Sequence, residues 1–236
     1  MNEIGELVPN WTRRPYPLDF NHIIQGQYCR LELLNSKTDE FVFEGLFQVF
    51  KPNEDLHFKY LKYGPFQTVD EFKAVIYEKE KPENNTVLYT IFVNDKPVGF
   101  LGFIRISPNE GTIEIGNINF SEKLTQTREA TETIFLLLQF AFDTLGYRRV
   151  EWRCNTFNEK SRRAAIRFGF QYDGTWLKTC VIKGRSRDDA WYSIIDDEWI
   201  EVKKEYQRWL NPSNFNSYQQ QLSKLNAAQV NPREKK

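Results

Sequence analysis

The chain of 236 residues is short of the groups that build covalent or metal-held scaffolds. It has three cysteines, Cys29, Cys154 and Cys180, scattered without metal-ligand spacing. An odd number of thiols argues against a disulfide framework and fits a reducing compartment. The two histidines, His22 and His57, both lie outside the strongly patterned strand and helix segments, so no metal site is expected. An excess of either charge is missing too: Lys+Arg and Asp+Glu are both 32. That balance argues against binding nucleic acid or a membrane surface as a whole, and leaves room only for a local polyanion site. The longest apolar run, around residues 134–142, is far too short to cross a bilayer. The opening MNEIGELVPNWTRRPYP has no apolar stretch of the signal-peptide kind. The expected compartment is the cytoplasm, or cytoplasm and nucleus. One more absence is local. The turn in KLTQTREATETIF (residues 123–135) has no glycine where a strand runs into a helix, a place that often holds phosphate on backbone N–H groups.

What is present is a soluble, aromatic-rich globular composition. Hydrophobic residues make up 40%, charged residues 27% and aromatics 15%, with nineteen Phe and six Trp, which implies a bulky core. The length suits one large domain. Residues 1–26, with Pro9, Pro15 and Pro17, read as an extended arm anchored by Trp11, Tyr16 and Phe20. YCRLELL (28–34) alternates as a strand. TDEFVFEGLFQVF (38–50) reads as a helix capped by Ser36 or Thr38 and broken by KPNED. TVDEFKAVIYEK (68–79) is a second helix, with Thr68 and Glu71 as a capping box. Strands at 87–93, 98–106 and 112–120, separated by NDKP and SPNEG, form an antiparallel meander. A buried helix spans 128–145, a strand 150–154 and a helix 158–168 closed by Gly169. Two strands at 175–182 and 190–195, joined by KGRSRDD, and a helix at 198–210 complete a domain over 27–210. The polar stretch 211–236 reads as a loosely docked tail. The fold class is α+β: a mixed, mostly antiparallel central sheet with helices on both faces.

Charge gathers in one place. Arg148, Arg149, Arg153, Lys160, Arg162, Arg163 and Arg167 stand against only Glu151 and Glu159. A solvated helix face and a site for a small polyanion both fit that run. Asn158 is a good N-cap, with Ser161 three residues on.

Strand, turn, Ala130-Thr131-Glu132, strand, and then NEKSRRAAIRFGF (158–170) together resemble the GNAT acyl-CoA-dependent N-acetyltransferases. The Rim-type branch that acetylates ribosomal proteins is the most similar. The resemblance spans roughly 27–199 and rests on Asn158 and Ser161 followed by Gly169-Phe170. It implies acetyl-CoA as co-substrate, lying in a V-shaped gap between the strands at 112–120 and 149–154. The pantetheine arm would pair with Ile118, Asn119 and Phe120 as an added strand does. The diphosphate would rest on Leu124, Thr125, Gln126, Thr127, Arg128, Glu129 and Ala130, with Thr125, Thr127 or Arg128 adding side-chain bonds. Asn158 would face the pantetheine, and Arg162 or Arg163 would reach CoA phosphates. Ser161 would protonate the leaving thiolate. Glu114 is the candidate base; its bland reading is an outward side chain in a strand alternation. Cys154 reads as core rather than nucleophile.

Family members carry glycines where this turn has Gln126 and Arg128, so the turn is expected to curl differently. The implied function is acetyl transfer to a primary amine, either a small molecule or a protein N-terminus, with a homodimer as one assembly. Two other readings stay open: a non-catalytic scaffold that binds CoA or a protein partner, and a nucleic-acid module built on the 148–167 cations. Aromatics between Phe41 and Phe66 either line the acceptor cleft or pack the core.

Overall fold

The computed structural model describes residues 7–20 and 23–230. Its centre is an eight-stranded sheet in the order β1-β2-β3-β4-β5-β6-β8-β7. The strands are β1 (Ile23–Gln25), β2 (Arg30–Leu33), β3 (Val87–Val93), β4 (Lys96–Ser107), β5 (Thr112–Phe120), β6 (Arg149–Asn155), β7 (Gln171–Ile182) and β8 (Arg185–Ile195). Every neighbouring pair is antiparallel except β5 and β6. That pair is parallel because a helix crosses over between its strands.

Two helical layers cover the sheet. On one face α1 (Glu40–Phe50), α2 (Glu54–Phe58) and α3 (Val69–Glu80) bury Phe43, Phe50, Phe58, Phe66 and Phe72 against Phe92 and Phe100. On the other lie α4 (Arg128–Gln139), α5 (Glu159–Arg167) and α6 (Asp196–Leu210). Glu132, the acid of the Ala-Thr-Glu stretch, is buried on α4 and accepts hydrogen bonds from the N–H groups of Gln27, Tyr28 and Cys29. The short helix α7 (Ala227–Val230) packs under α5 and α6.

Several elements differ from the sequence expectation. β1 adds a strand where an arm is expected; within that arm, Trp11 donates to Asn109 O (2.9 Å) and Phe20 meets Phe140 edge-on. Residues 1–6 and His22 lie outside the described residues. Asp39, not Thr38, precedes α1; Thr38 Oγ1 instead closes the turn between Asn35 N–H and Leu33 O. α4 ends in a π-turn, Phe140–Thr144, and Gly146 takes φ +68° beyond it. KGRSRDD is mostly strand, with only Lys183-Gly184 turning.

Of the expected loose tail, residues 211–230 are docked, and residues 231–236 lie outside the described residues. Asn214 donates to Trp209 O and accepts from Ser223 N–H and Oγ–H, while Leu225 and Ala227 are buried. Polar residues hold this segment through turn and cap hydrogen bonds, which leave no apolar period to read.

Candidate functional site

β5 and β6 pair only over Thr112–Glu114 and Arg149–Glu151, and then diverge. α4 makes the crossover, so the gap opens at the C-terminal ends of both strands, toward the start of α4. Residue 117 bends β5 as it leaves its partner: Asn117 has φ +52° and is held by Tyr63 O–H at 3.1 Å. Ile118 and Phe120 then turn toward the α4 core, and Asn119 toward the opposite face. Asn119 is buried, and its Nδ2 has no hydrogen-bond partner among the described residues.

The turn after β5 is tightly wound. Ser121 O accepts from Leu124 N–H, Thr125 N–H and Thr125 Oγ1–H. Thr127 is the N-cap of α4, accepting from Ala130 N–H. The N–H groups of Gln126, Arg128 and Glu129 make no hydrogen bond among the described residues, so three donors remain at a helix start. Gln126 has φ +65°. The turn therefore places a non-glycine residue in the left-handed region that favours glycine. The side chains do less than expected. Thr127 Oγ1–H donates to Leu124 O (2.6 Å), so both threonine hydroxyls are spent inside the turn. The Arg128 guanidinium lies 3.6 Å over the Tyr28 ring and donates to Gln219 Oε1 (2.6 Å) and Glu129 Oε1 (3.1 Å). The two threonine hydroxyls and both terminal Arg128 nitrogens are therefore taken, while Arg128 Nε and three backbone N–H groups of this turn have no partner among the described residues.

Across the gap, Asn158 Oδ1 accepts from Ser161 N–H and caps α5. Ser161 Oγ accepts from the Trp152 indole N–H at 3.0 Å, which leaves the hydroxyl proton free to point elsewhere. Cys154 is buried beside Ser161, and burial pushes its thiol up, away from the thiolate form a nucleophile needs.

The face under α1–α3 carries an ionic floor. Glu114 is 3% exposed, and burial pushes its carboxyl up to about 7 even though it pairs with Arg105 and lies near Arg153. Arg105 also reaches Glu151 (3.5 Å), which Arg149 holds at 2.8 Å; Arg149 in turn holds Asp173 at 2.6 Å. The tip of the β7–β8 hairpin closes over this floor: Lys183 donates to Phe58 O (2.9 Å) and Arg187 to Tyr60 O (3.0 Å).

The cations read as one run do not converge. β6 alternation sends Arg149 and Arg153 to the floor; Arg162 bonds Tyr192 O–H and Thr156 O, and Arg163 sits in solvent, 3.8 Å from Glu159. Arg167 crosses to Thr131 on α4. The expected aromatic cleft divides in the same way: Phe43, Phe50, Phe58 and Phe66 are buried in the core with Phe47 packed against it, Phe41 is exposed, and Tyr60 and Tyr63 reach Phe157 O and Asn117. His57, expected outside the patterned elements, lies on α2 beside Asn119, Glu122 and Lys160, and burial lowers its pKa. No site role is legible for it in the sequence, because α2 lies inside what reads as a helix break.

The GNAT acetyltransferase domain model matches residues 30–171. A GCN5-related N-acetyltransferase from Brucella melitensis is 39% identical, with 92% of this chain and 97% of that chain covered and a TM-score of 0.84. The uncharacterised N-acetyltransferase YnaD of Bacillus subtilis is 27% identical over 164 residues, covering 68% of this chain and 93% of YnaD. The microcin C7 self-immunity acetyltransferase, solved in complex with acetyl-CoA and AMP, shares the fold at 21% identity (TM-score 0.63, 72% of this chain and 93% of that one). The splayed β5–β6 pair, the α4 turn and these relatives agree: the chain belongs to the GNAT acetyltransferase family.

Proposed function

We propose that the protein transfers an acetyl group from acetyl-CoA to a primary amine, directly and within a ternary complex, as an enzyme of the Rim-type branch. The observation that carries this is the β5–β6 gap with Ser161 on one side of the sheet and Glu114 on the other. The residues present fit the co-substrate. Three unpaired N–H groups at α4 suit a diphosphate, and the open β5 edge suits the two amides of a pantetheine arm. The microcin acetyltransferase, of the same fold, is held with acetyl-CoA.

The thioester supplies an activated acyl carbon. An amine arriving from the floor must lose a proton before its lone pair can attack, and Glu114 takes that proton. The new C–N bond forms as the C–S bond breaks, and a β5 backbone N–H beyond the Asn117 bend faces the charge that develops on the carbonyl oxygen. Ser161 gives its proton to the departing sulfur, and the second proton lost by the new amide nitrogen returns through water to restore the hydroxyl. The net reaction from an ammonium ion releases one proton. The attacking and leaving groups occupy opposite faces of the sheet and meet only through the gap.

Calorimetry with acetyl-CoA, followed by thiol release across an amine panel, tests this. Saturable binding and amine-dependent thiol release are expected. Binding without thiol release would favour the non-catalytic scaffold, and no binding at high micromolar ligand would end the acetyltransferase reading.

A further inference from the structure

The floor holds two donors that proton removal at Glu114 does not use. Arg153 and Trp191 are direct cross-strand partners on β6 and β8. Their neighbour Asp189 is 1% exposed, and its oxygens are already taken: Oδ1 by Arg187 Nε (2.5 Å) and Oδ2 by the Thr179 hydroxyl (2.8 Å). Arg153 approaches that carboxylate only to 3.6 Å and makes no hydrogen bond among the described residues. Its guanidinium lies 5.3 Å from the centre of the Trp191 ring, and that of Arg105 lies 4.4 Å from it. Trp191 is 9% exposed, and its buried Nε1 has no partner among the described residues. A buried N–H without an acceptor is uncommon in a folded chain and asks for an explanation. Trp176, 58% exposed, lies with its ring centre 4.3 Å from that of Trp191.

Charge counting says what kind of ligand. The floor pairs Arg105, Arg149, Arg153 and Arg187 with Glu114, Glu151, Asp173 and Asp189, so it is balanced while Glu114 is ionised. Once Glu114 has taken the amine's proton, one guanidinium charge is left without a counter-ion. A second cation on the acceptor, as in a polyamine, would add to that surplus, whereas an anion cancels it. Arg153, the arginine of this floor with no hydrogen bond of its own, also acts directly on the Glu114 carboxyl. The anion site and the base are therefore neighbours.

We infer that the acceptor carries a carboxylate or phosphate close to its amine, and that Arg153 and Trp191 Nε1–H bind this anion. The inference rests on the acetyltransferase reading and names the acceptor class within it. A planar guanidinium beside an indole N–H matches two oxygens of one carboxylate or phosphate.

Matched pairs test it. Initial rates are measured with acetyl-CoA and the common L-amino acids against their amides, phosphoethanolamine against ethanolamine, and spermidine. The CoA-saturated protein is also titrated calorimetrically with N-acetylated amino acids against their N-acetyl amides. The anionic member of a pair is expected to win by about tenfold or more, the worth of one good charge-assisted contact. The amino acids and phosphoethanolamine separate the carboxylate from the phosphate. Arg153→Met is expected to abolish the preference by raising the KM of the anionic acceptor, with the acetyl-CoA constant unchanged; Arg153→Lys restores part of it. Preference for the amides, for ethanolamine or for spermidine overturns the inference, and so does an acetyl-CoA-binding protein that neither turns over nor binds any anionic probe. Failure to bind acetyl-CoA in the same calorimeter sinks the acetyltransferase reading instead.

Discussion

At the scale of single residues, the proposed mechanism divides the chemistry between two side chains on opposite faces of the sheet. Ser161 is positioned by its own backbone N–H on Asn158 and by the Trp152 indole on its oxygen, which leaves its hydroxyl proton to donate. Ser161→Ala is expected to lower kcat by about a hundredfold, the lower end of general-acid contributions, while the acetyl-CoA dissociation constant changes little. Stopped-flow thiol release and calorimetry read the two separately, and an unchanged kcat removes Ser161 from the mechanism. Glu114 sets a pH dependence. Its carboxyl must be ionised to accept a proton, so kcat/KM should rise with pH through about 7. Glu114→Gln should flatten that limb; an unaltered limb would assign it to another group.

The same residue links pH to stability with the opposite sign. Its native pKa lies above the ordinary carboxylate value, so the native state holds the proton more tightly than the unfolded chain does. That contribution is complete below about 4.5 and is lost as pH rises to about 7. Melting of Glu114→Gln should therefore gain on wild type between pH 5 and pH 8, by about 2–4 °C for each kcal/mol recovered. A constant difference across that range would mean that the native carboxyl titrates normally. Function and stability thus pull this side chain in opposite directions, as is common for groups poised near neutrality.

At the scale of elements, the turn into α4 is the proposed diphosphate site, and it shows where the sequence is legible. The meander β3–β5, the helix after it, β6 and the Asn158 cap all follow from period, turn chemistry and capping, and the structure returns them within a few residues. The conformation of Gln126 was not legible. A positive φ is written plainly only in glycine, and the winding that forces it on Gln126 comes from Ser121 and Thr127 hydrogen bonds. The ionic floor was equally hidden, because Arg105, Glu151, Asp189 and Trp191 come from three strands and meet only after the sheet forms. Strand alternation told which faces of β6 differ, but not what lies opposite them. A substitution at the turn follows. Gln126→Gly should bind acetyl-CoA as wild type does or better, since the left-handed conformation costs glycine little. Gln126→Val should weaken binding, because a β-branched residue resists that region. Equal constants for the two variants, measured calorimetrically, would mean that the turn does not hold the diphosphate.

At the scale of the whole molecule, the sheet is two halves joined at a narrow seam. Strands β1–β5 form one half and β6, β8 and β7 the other, and only three residue pairs of β5 and β6 connect them by hydrogen-bonded register. α4 bridges the halves from one side, and the hairpin contacts at Phe58 and Tyr60 bridge them from the other. A ligand threaded through the gap adds a strand-like bridge where the sheet has none, and the unfolded chain offers it no such place. Binding must therefore raise the free energy of unfolding by mass action. At a hundred times its dissociation constant, acetyl-CoA should add about 2.7 kcal/mol, which for a chain of this size is a rise in Tm of about 5–10 °C. Differential scanning fluorimetry at a series of ligand concentrations measures it, with the calorimetric constant fixing the scale. Desulfo-CoA should give a similar rise, since it keeps both the diphosphate and the pantetheine amides. Adenosine diphosphate alone should give less, because it fills the α4 turn and leaves the seam open. A rise as large with adenosine diphosphate as with acetyl-CoA would mean that the gap between β5 and β6 does not receive the pantetheine arm.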